Sequence, residues 1–564
     1  MNINRQGNET GHGARPATLV GGDVFPSCSF VSLRGKVFLC AVALLLVALT
    51  LDAIAQQRAA YTNPVIAGDY PDPSVIRVGG DYWATVTSGD WAPHFPILHS
   101  RDLVNWRVVG AVFQKRPQWA ARNFWAPEIQ EDRGRFFVYY TARRKGGPLC
   151  VAVATATRPA GPYTDHGPLV CQDIGSIDAF FIRDENNQPY LIWKEDGNDR
   201  KQPTPIWAQR LTESGTKLIG ARTEILRNTA AWEKHVVEGS FIIRRGEWFY
   251  HFYSGNACCG RECDYALGVA RARKLLGPWE KNPGNPILAA NEHWRCPGHG
   301  SIVTTPDGRD FLLYHSYRRR PDTFNVGRET LLDEVKWNAD NWPEINNGKG
   351  PSITARAPLA FLTPTMGEGF ADEFDNSRLD SSWQWPLGGE QTGEQTARVE
   401  SGRGGRLILS PAVDVKDDEF TDAVLGRRTT SGDYTATALI DVRGMKPGMR
   451  AGLGVYSWRN GALGAAIGGG KIHVWRREGK KQELVATAKV PDADSIHLRM
   501  TVAGGKSYQF AFSVDGRNWR DVGARVEGKY IEGARVALTV GGGRGAAVKF
   551  EWMRIIPSVA VSKP

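Results

Sequence analysis

Dense runs of basic residues are absent from the sequence, although its formal net charge is +10. Its two basic runs, Arg143–Lys145 and Arg318–Arg320, are only triplets, and no nucleic-acid reader motif accompanies them. A nucleic-acid-binding protein needs a basic stripe with such a motif, so the composition argues against that class. The charge instead indicates a solvated basic surface, which would also favour retention near acidic cell-wall polymers.

The spacing typical of a zinc site is absent too. Two of the eight cysteines, Cys28 and Cys40, precede the predicted mature chain. The other six lack the paired C-x2-C pattern of a zinc site, so disulfides are their favoured use. The sequence leaves the pairing of these six open, and they are Cys150, Cys171, Cys258, Cys259, Cys263 and Cys296.

A membrane-spanning apolar run is also missing. The run Val37–Leu49 is shorter than the roughly 20 residues that a membrane span needs. It follows Arg34 and Lys36 and precedes Ala53–Ala55, a small-x-small cleavage pattern. This order is typical of a secretory signal peptide, so we expect residues 1–55 to be removed and the protein to be secreted or periplasmic. An uncleaved anchor is the alternative.

Five segments of the chain share one pattern: a polar residue, a short apolar strand, a tight turn and an aromatic-rich strand. Their leading residues are spaced by 56, 50, 60 and 61 positions, and are Asp72, Glu128, Asp178, Glu238 and His299. A repeat of this length is typical of a β-propeller blade with long loops. The sequence therefore predicts a five-bladed β-propeller over residues 61–355. Because the first strand of each blade lines the axis, we expect the five leading residues to converge at one end of it.

The residue pattern of the sequence changes after a proline-containing linker. Over residues 366–558, short alternating strands are separated by turns that contain Gly or Asp-Gly. This pattern predicts a β-sandwich, so the fold class of the whole chain is all-β. The sequence leaves two roles open for the second domain, binding of polymer and support of the propeller.

Three leading residues, Asp72, Asp178 and Glu238, are carboxylates that the propeller would bring together. Burying carboxylates around one axis costs desolvation free energy, so such a cluster indicates a function. Two carboxylates suffice to hydrolyse a glycosidic bond, one ionised to activate water and the other protonated to serve the leaving oxygen. A third can raise the pKa of the acid by repulsion. Aromatic side chains offer faces on which sugars stack, and the candidates are Trp91, Trp125, Phe180, Trp193 and Trp207.

Several motifs follow one another in a characteristic order: Asp69–Ser74, Trp125–Ile129, Gly175–Ala179, Val237–Phe241, Gly298–Ser301, Gly327–Arg328 and Val335–Pro343. Over about residues 61–350 this series resembles glycoside hydrolase family 43. The C-terminal region resembles the concanavalin-like jelly-roll sandwich that is appended to many members.

The resemblance implies an inverting, exo-acting glycosidase of the β-xylosidase or α-L-arabinofuranosidase type. Such an enzyme releases terminal xylose or arabinofuranose from plant-type oligosaccharides and polysaccharides. It implies Asp72 as general base, Glu238 as general acid, and Asp178 as the residue that tunes the pKa of the acid and orients it.

The resemblance also implies that Arg328 reaches the substrate and that His299 lies near the axis, in contact with substrate and beside a metal ion or water. A structural Ca²⁺ near the axis is therefore an expectation, whereas catalysis is expected to need no cofactor. Glu128 is expected to be structural. Two other functions stay open, a galactofuranosidase or other furanosidase of the same propeller clan, and a carbohydrate-binding propeller without catalysis.

Overall fold

A computed structural model describes residues 60–558, except for residues 201, 320–324, 360–368, 388–396, 401–403, 412–418, 458–460, 480, 529–530, 532, 543–544 and 546. The predicted signal peptide, residues 1–55, lies outside this part of the chain. The described residues form strands and three short 3-10 helices, at Asn198–Arg200, Ala231–Glu233 and Asn346–Gly348, and they contain no α-helix. Within the same residues, no helix is long and apolar enough to cross a membrane.

Five four-stranded antiparallel sheets form the blades of a propeller. Strand β1 (Ala60–Thr62) precedes the first blade, which contains β2 (Ser74–Val78), β3 (Asp81–Thr85), β5 (His94–Ser100) and β6 (Arg107–Phe113), with short β4 (Trp91–Ala92) outside its sheet. The second contains β7 (Ala120–Asp132), β8 (Arg135–Arg144), β9 (Leu149–Ala156) and β10 (Thr164–Val170). The third contains β11 (Ser176–Arg183), β12 (Pro189–Glu195), β13 (Ile206–Leu211) and β14 (Leu218–Leu226). The fourth contains β15 (Val237–Arg245), β16 (Trp248–Gly255), β17 (Ala266–Ala272) and β18 (Glu280–Lys281). The fifth contains β19 (Trp294–Thr304), β20 (Asp310–Arg318), β21 (Glu329–Trp337) and β22 (Pro343–Ile345).

Burial explains why the inner strands of a blade read as continuous apolar runs. Strand β9 is buried along its whole length, because neighbouring blades cover both of its faces. Its outer neighbour β10 alternates between exposed and half-buried residues. The first strands β2, β7, β11, β15 and β19 pack against one another in a closed ring, so all five line the axis. Strand β1 pairs with β23 (Thr354–Arg356), which joins the two ends of the propeller.

The C-terminal part consists of two antiparallel sheets, and the fold class predicted from the sequence is confirmed. The chain order of its strands is β24 (Phe370–Asp372), β25 (Trp385–Pro386), β26 (Ala397–Glu400), β27 (Arg406–Leu409), β28 (Ala423–Arg428), β29 (Tyr434–Asp441), β30 (Arg450–Ser457), β31 (Gly461–Gly468), β32 (Lys471–Glu478), β33 (Lys481–Lys489), β34 (Ser495–Ala503), β35 (Ser507–Ser513), β36 (Arg520–Asp521), β37 (Val526–Glu527), β38 (Arg535–Gly541) and β39 (Val548–Pro557). One sheet has the order β28-β38-β30-β31-β32-β33. The other has nine strands and the main order β26-β27-β39-β29-β34-β35-β36.

The inward side chains of the two sheets share one core. Tyr434, Ala436 and Ala438 alternate along β29 with half-buried threonines, and they pack in the same cluster as Leu453 and Leu538 from the facing sheet. This alternation is the period-two pattern of a strand with one covered face. The sandwich therefore has its own hydrophobic core.

The sandwich also packs against the propeller. Strand β25 pairs with β4 of the first blade, so that Trp385 lies opposite Ala92. Arg535 of β38 is almost completely buried, and its guanidinium donates to a carboxylate oxygen of Asp69 at 3.2 Å. These contacts place the sandwich beside the chain segment that leads to Asp72.

Candidate active site

A pocket of about 430 Å³ opens at one end of the propeller axis. A volume of this size suits a small ligand. Most of the residues that the sequence singled out line it, namely Asp72, Asp178, Glu238, His299, Arg328, Trp91 and Trp125. Ser457 and Gly533 of the sandwich line it as well, so the two domains share one wall of the pocket.

A repeated backbone feature positions the polar side chains at the axis. At least one residue in or just before each first strand has a positive φ, and the pocket end of each strand contributes Asp72 (54°), Ala126 (40°), Asp178 (55°), Gly239 (63°) and His299 (44°). A positive φ is rare for residues other than glycine and is concentrated at functional sites. The same local backbone bend recurs in every blade. It therefore directs side chains at one end of the ring of first strands towards the pocket.

This backbone register corrects two expectations from the sequence, those for Glu128 and Phe180. Both residues come two positions after a residue with positive φ, and both are buried. The ring of Phe180 packs against Phe241 with centroids 4.9 Å apart, and neither Phe180 nor Glu128 lines the pocket. The expectation that Phe180 binds substrate is therefore wrong, because neighbouring blades cover its ring. Glu128 does not converge with the other leading residues, and burial raises its pKa to about 8.

Asp72 is surrounded by donors and positive charge. Its Oδ1 lies 2.9 Å from Nη1 of Arg328 and 3.6 Å from Nδ1 of His299, and its Oδ2 accepts a 2.7 Å hydrogen bond from Thr87. Burial alone would raise the pKa of Asp72. The charges of Arg328 and His299 and a hydrogen bond with His315 outweigh burial and hold that pKa well below its ordinary value. These neighbours therefore favour the ionised form of Asp72.

Glu238 has one cation beside it, which the sequence reading missed. Nζ of Lys194 lies 2.6 Å from Oε2 of Glu238 and 3.2 Å from Oδ1 of Asp196, and the lysine is completely buried. The hydroxyl of Tyr265 donates to the other oxygen of Glu238 at 3.0 Å. A signal for Lys194 was present in the sequence. It is a lysine within the apolar strand β12, and lysines are almost never fully buried unless they are paired.

Asp178 and Glu238 have opposite pKa shifts. Burial raises the pKa of Asp178 to about 6, and the negative charge of Glu238 adds to this although His299 opposes it. Burial would also raise the pKa of Glu238, but the charge and hydrogen bond of Lys194 outweigh it and lower that pKa. A backbone contact joins the two residues, since the N–H of Gly239 donates to Oδ2 of Asp178 at 3.0 Å. As the pH falls, Asp178 is therefore protonated before Glu238.

The first-blade side of the pocket rests on the sandwich. Trp91 is mostly buried, with its ring edge-on to Tyr456 at 5.9 Å and the guanidinium of Arg535 5.1 Å from its centre. Trp125 is half-buried and lines the same pocket. Both tryptophans therefore line the pocket, and contacts with the second domain hold Trp91 there.

The described residues contain no group of three or more His, Cys, Asp or Glu side chains arranged to hold a metal ion. Calcium takes six to eight oxygen ligands. Among the described residues, Nδ1 of His299 lies 3.6 Å from an oxygen of Asp72 and 3.9 Å from an oxygen of Asp178, which supplies far fewer. The residues present do not fit a calcium site of that kind. The expectation of a structural Ca²⁺ near the axis gains no support from this geometry.

Residues 61–343 match the model of the family described as "Glycosyl hydrolases family 43". The chain belongs to glycosyl hydrolase family 43. Residues 371–548 match a second model, "Beta xylosidase C-terminal Concanavalin A-like domain". The resemblance noted in the sequence is therefore confirmed, and this family 43 protein is a glycosidase.

Relatives of this glycosidase are similar over most of their length. One is a "Xylosidase/arabinosidase 43B" of Humicola insolens, 28% identical over 83% of this chain and 90% of the relative. Another is a "Beta-xylosidase" of Bacillus subtilis, 26% identical over 83% of this chain and 92% of the relative. Among solved structures, a family 43 protein of Bacillus licheniformis superposes with a TM-score of 0.75 and 26% identity, over 89% of this chain and all of that one.

Proposed function

We propose that this glycosidase removes single pentose units, xylose or arabinofuranose, from the non-reducing ends of plant-type oligosaccharides and polysaccharides, with inversion at the anomeric carbon. The observation that carries the proposal is that three carboxylates, Asp72, Asp178 and Glu238, line one pocket. Arg328 lies 2.9 Å from Asp72, and Lys194 lies 2.6 Å from Glu238. The activities for which the two relatives are named, xylosidase/arabinosidase and β-xylosidase, support the class of sugar.

In the proposed reaction, Asp72 accepts a proton from a water molecule, whose oxygen attacks the anomeric carbon. The bond from that carbon to the leaving-group oxygen breaks, and Glu238 donates its proton to this oxygen. Attack on the face opposite to the leaving group inverts the configuration. Arg328 and His299 lie beside Asp72 and keep it in the basic form before the attack.

Glu238 must be protonated when the sugar is bound, although Lys194 favours its ionised form. A sugar that fills the pocket displaces water, and desolvation raises the pKa of a carboxyl. The negative charge of Asp178 acts in the same direction once that residue is ionised. The substrate thus completes the environment in which Glu238 serves as an acid.

A panel of aryl glycosides tests the sugar, and proton NMR of the first product tests the stereochemistry. We expect turnover of a β-xyloside or an α-L-arabinofuranoside, and a product with inverted configuration. Preference for a galactofuranoside would favour the other furanosidase class, and retention would assign Asp72 as a nucleophile. Loss of polymer viscosity before single sugars appear would indicate cleavage within chains and contradict the exo-action.

We also propose that the enzyme is exported and acts outside the cytoplasm, with removal of residues 1–55. Three disulfides support this, Cys150–Cys171, Cys258–Cys259 and Cys263–Cys296, because disulfides persist in oxidising compartments. N-terminal sequencing of the protein from the periplasm or medium is the test. A chain there that begins at Met1 would contradict the cleavage.

A further inference from the structure

Two adjacent cysteines lie at the rim of the active-site pocket. Cys258 and Cys259 are joined by a disulfide and line the same pocket as Asp72 and Glu238. Cys258 is half-buried and Cys259 is exposed, which places the pair at the mouth. The proposed chemistry gives no role to this disulfide, although it occupies surface that a sugar chain must pass.

The loop that carries the disulfide is fixed at several points. It runs from residue 256 to residue 265, between β16 and β17. Within it, the amide of Asn256 donates to a carboxylate oxygen of Asp264 at 3.1 Å, and the N–H of Asp264 donates to the carbonyl of Ala257 at 3.1 Å. A second disulfide, Cys263–Cys296, attaches the loop to β19. A surface held in this way needs little ordering when a ligand binds, which favours affinity.

The disulfide lies on the Glu238 side of the pocket. Cys258 packs against a buried cluster that contains Cys263, Cys296, Tyr317 and Tyr265. Tyr265 in turn donates its hydroxyl hydrogen bond to Glu238. The disulfide therefore lies on the side of the pocket where Tyr265 contacts Glu238, and it is more exposed than that buried carboxyl.

We propose that the Cys258–Cys259 disulfide is an apolar platform for the sugar on the leaving-group side of the scissile bond; this rests on the proposed function. A disulfide has no N–H or O–H to donate, so it offers a polarisable apolar surface that suits the C–H face of a sugar ring. The terminal sugar lies deeper, between Asp72 and Glu238. The next sugar along the chain must lie at the mouth, beside Glu238 and over the disulfide.

The first test compares two substrates of the same terminal sugar, the natural disaccharide and the glycosyl fluoride, which has no leaving-group sugar. In the double variant Cys258→Ala/Cys259→Ala, we expect kcat/KM for the disaccharide to fall by roughly tenfold relative to that for the fluoride, the effect of losing a small apolar contact. The control is Cys150→Ser/Cys171→Ser, which removes a disulfide whose cysteines do not line the pocket.

The outcomes of this test separate the two proposals. A disaccharide-to-fluoride ratio equal to that of the wild type, or an equal fall in the control variant, would overturn the platform while leaving the proposed function intact. A wild-type enzyme that is inactive on both substrates would overturn the proposed function and the platform with it. Activity on the fluoride shows that each variant has folded.

A second test needs no change to the cysteines. In the inactive variant Asp72→Ala, a phosphine reductant and iodoacetamide label Cys258 and Cys259, and peptide mass spectrometry measures the rate. We expect saturating disaccharide to slow this labelling more than the saturating monosaccharide does, because only the disaccharide covers the mouth. Equal protection by the two sugars would overturn the proposal.

Discussion

The two sides of the pocket hold their carboxylates in different ways. Asp72 faces the permanent charge of Arg328 together with His299, and donors satisfy both of its oxygens. Glu238 faces the buried cation Lys194 at 2.6 Å, and the negative charge of Glu238 in turn helps to raise the pKa of Asp178. The comparison shows how the two roles differ. The base works in its ionised form, which fixed positive charges stabilise, whereas the acid must gain a proton when the substrate binds.

The strongest test of this contrast is Asp72→Ala. We expect kcat to fall by roughly 100- to 10,000-fold or more for every leaving group, because no leaving group replaces the base that activates water. The measurement is steady-state hydrolysis of natural and activated substrates, with exposed Asp340→Ala as the matched control. A loss confined to poor leaving groups would give Asp72 the role of the acid instead.

Glu238→Ala should have an effect that depends on the leaving group. On natural linkages we expect a loss of roughly 100- to 10,000-fold. Aryl glycosides with acidic leaving groups need little protonation, so the variant should keep much more activity on them. A plot of rate against leaving-group pKa measures this. An equal loss on both kinds of substrate would contradict Glu238 as the proton donor.

Asp178→Asn should act mainly on the pH dependence. The substitution removes a negative charge near Glu238, so the pKa of Glu238 falls further. Activity that needs protonated Glu238 is lost as pH rises through this pKa, and the alkaline limb of the kcat/KM profile should therefore move to lower pH. Asp340→Asn serves as the control, and its profile should match that of the wild type.

Lys194→Met should move the same limb the other way. Loss of the buried cation removes the main influence that lowers the pKa of Glu238, so this pKa rises and the alkaline limb moves to higher pH. The acidic limb, set by Asp72, should stay in place. If Lys194→Met and Asp178→Asn shifted the alkaline limb in the same direction, the charge balance proposed for Glu238 would be wrong.

Most of the carboxylate site was predictable because the repeats are periodic. Each blade is built alike, so equivalent positions in sequence become neighbours around one axis, and Asp72, Asp178, Glu238 and His299 all line the pocket. Glu128 was misplaced by the same reasoning. In the second blade it is Ala126, two residues earlier, that lines the pocket, and Glu128 is buried outside it. An offset of two residues between repeats is not evident from residue types.

The sequence by itself determined the five-bladed propeller, the appended sandwich and the residue types of a glycosidase, because strand periodicity and ordered motifs are local properties. The tertiary structure alone decided which side chains surround each carboxylate. Lys194 and His315 come from second strands of their blades, and the sandwich residues Ser457 and Gly533 reach the pocket from far along the chain. Their electrostatic and packing effects depend on distances of a few ångströms across blades and domains, and no spacing along the chain encodes those distances.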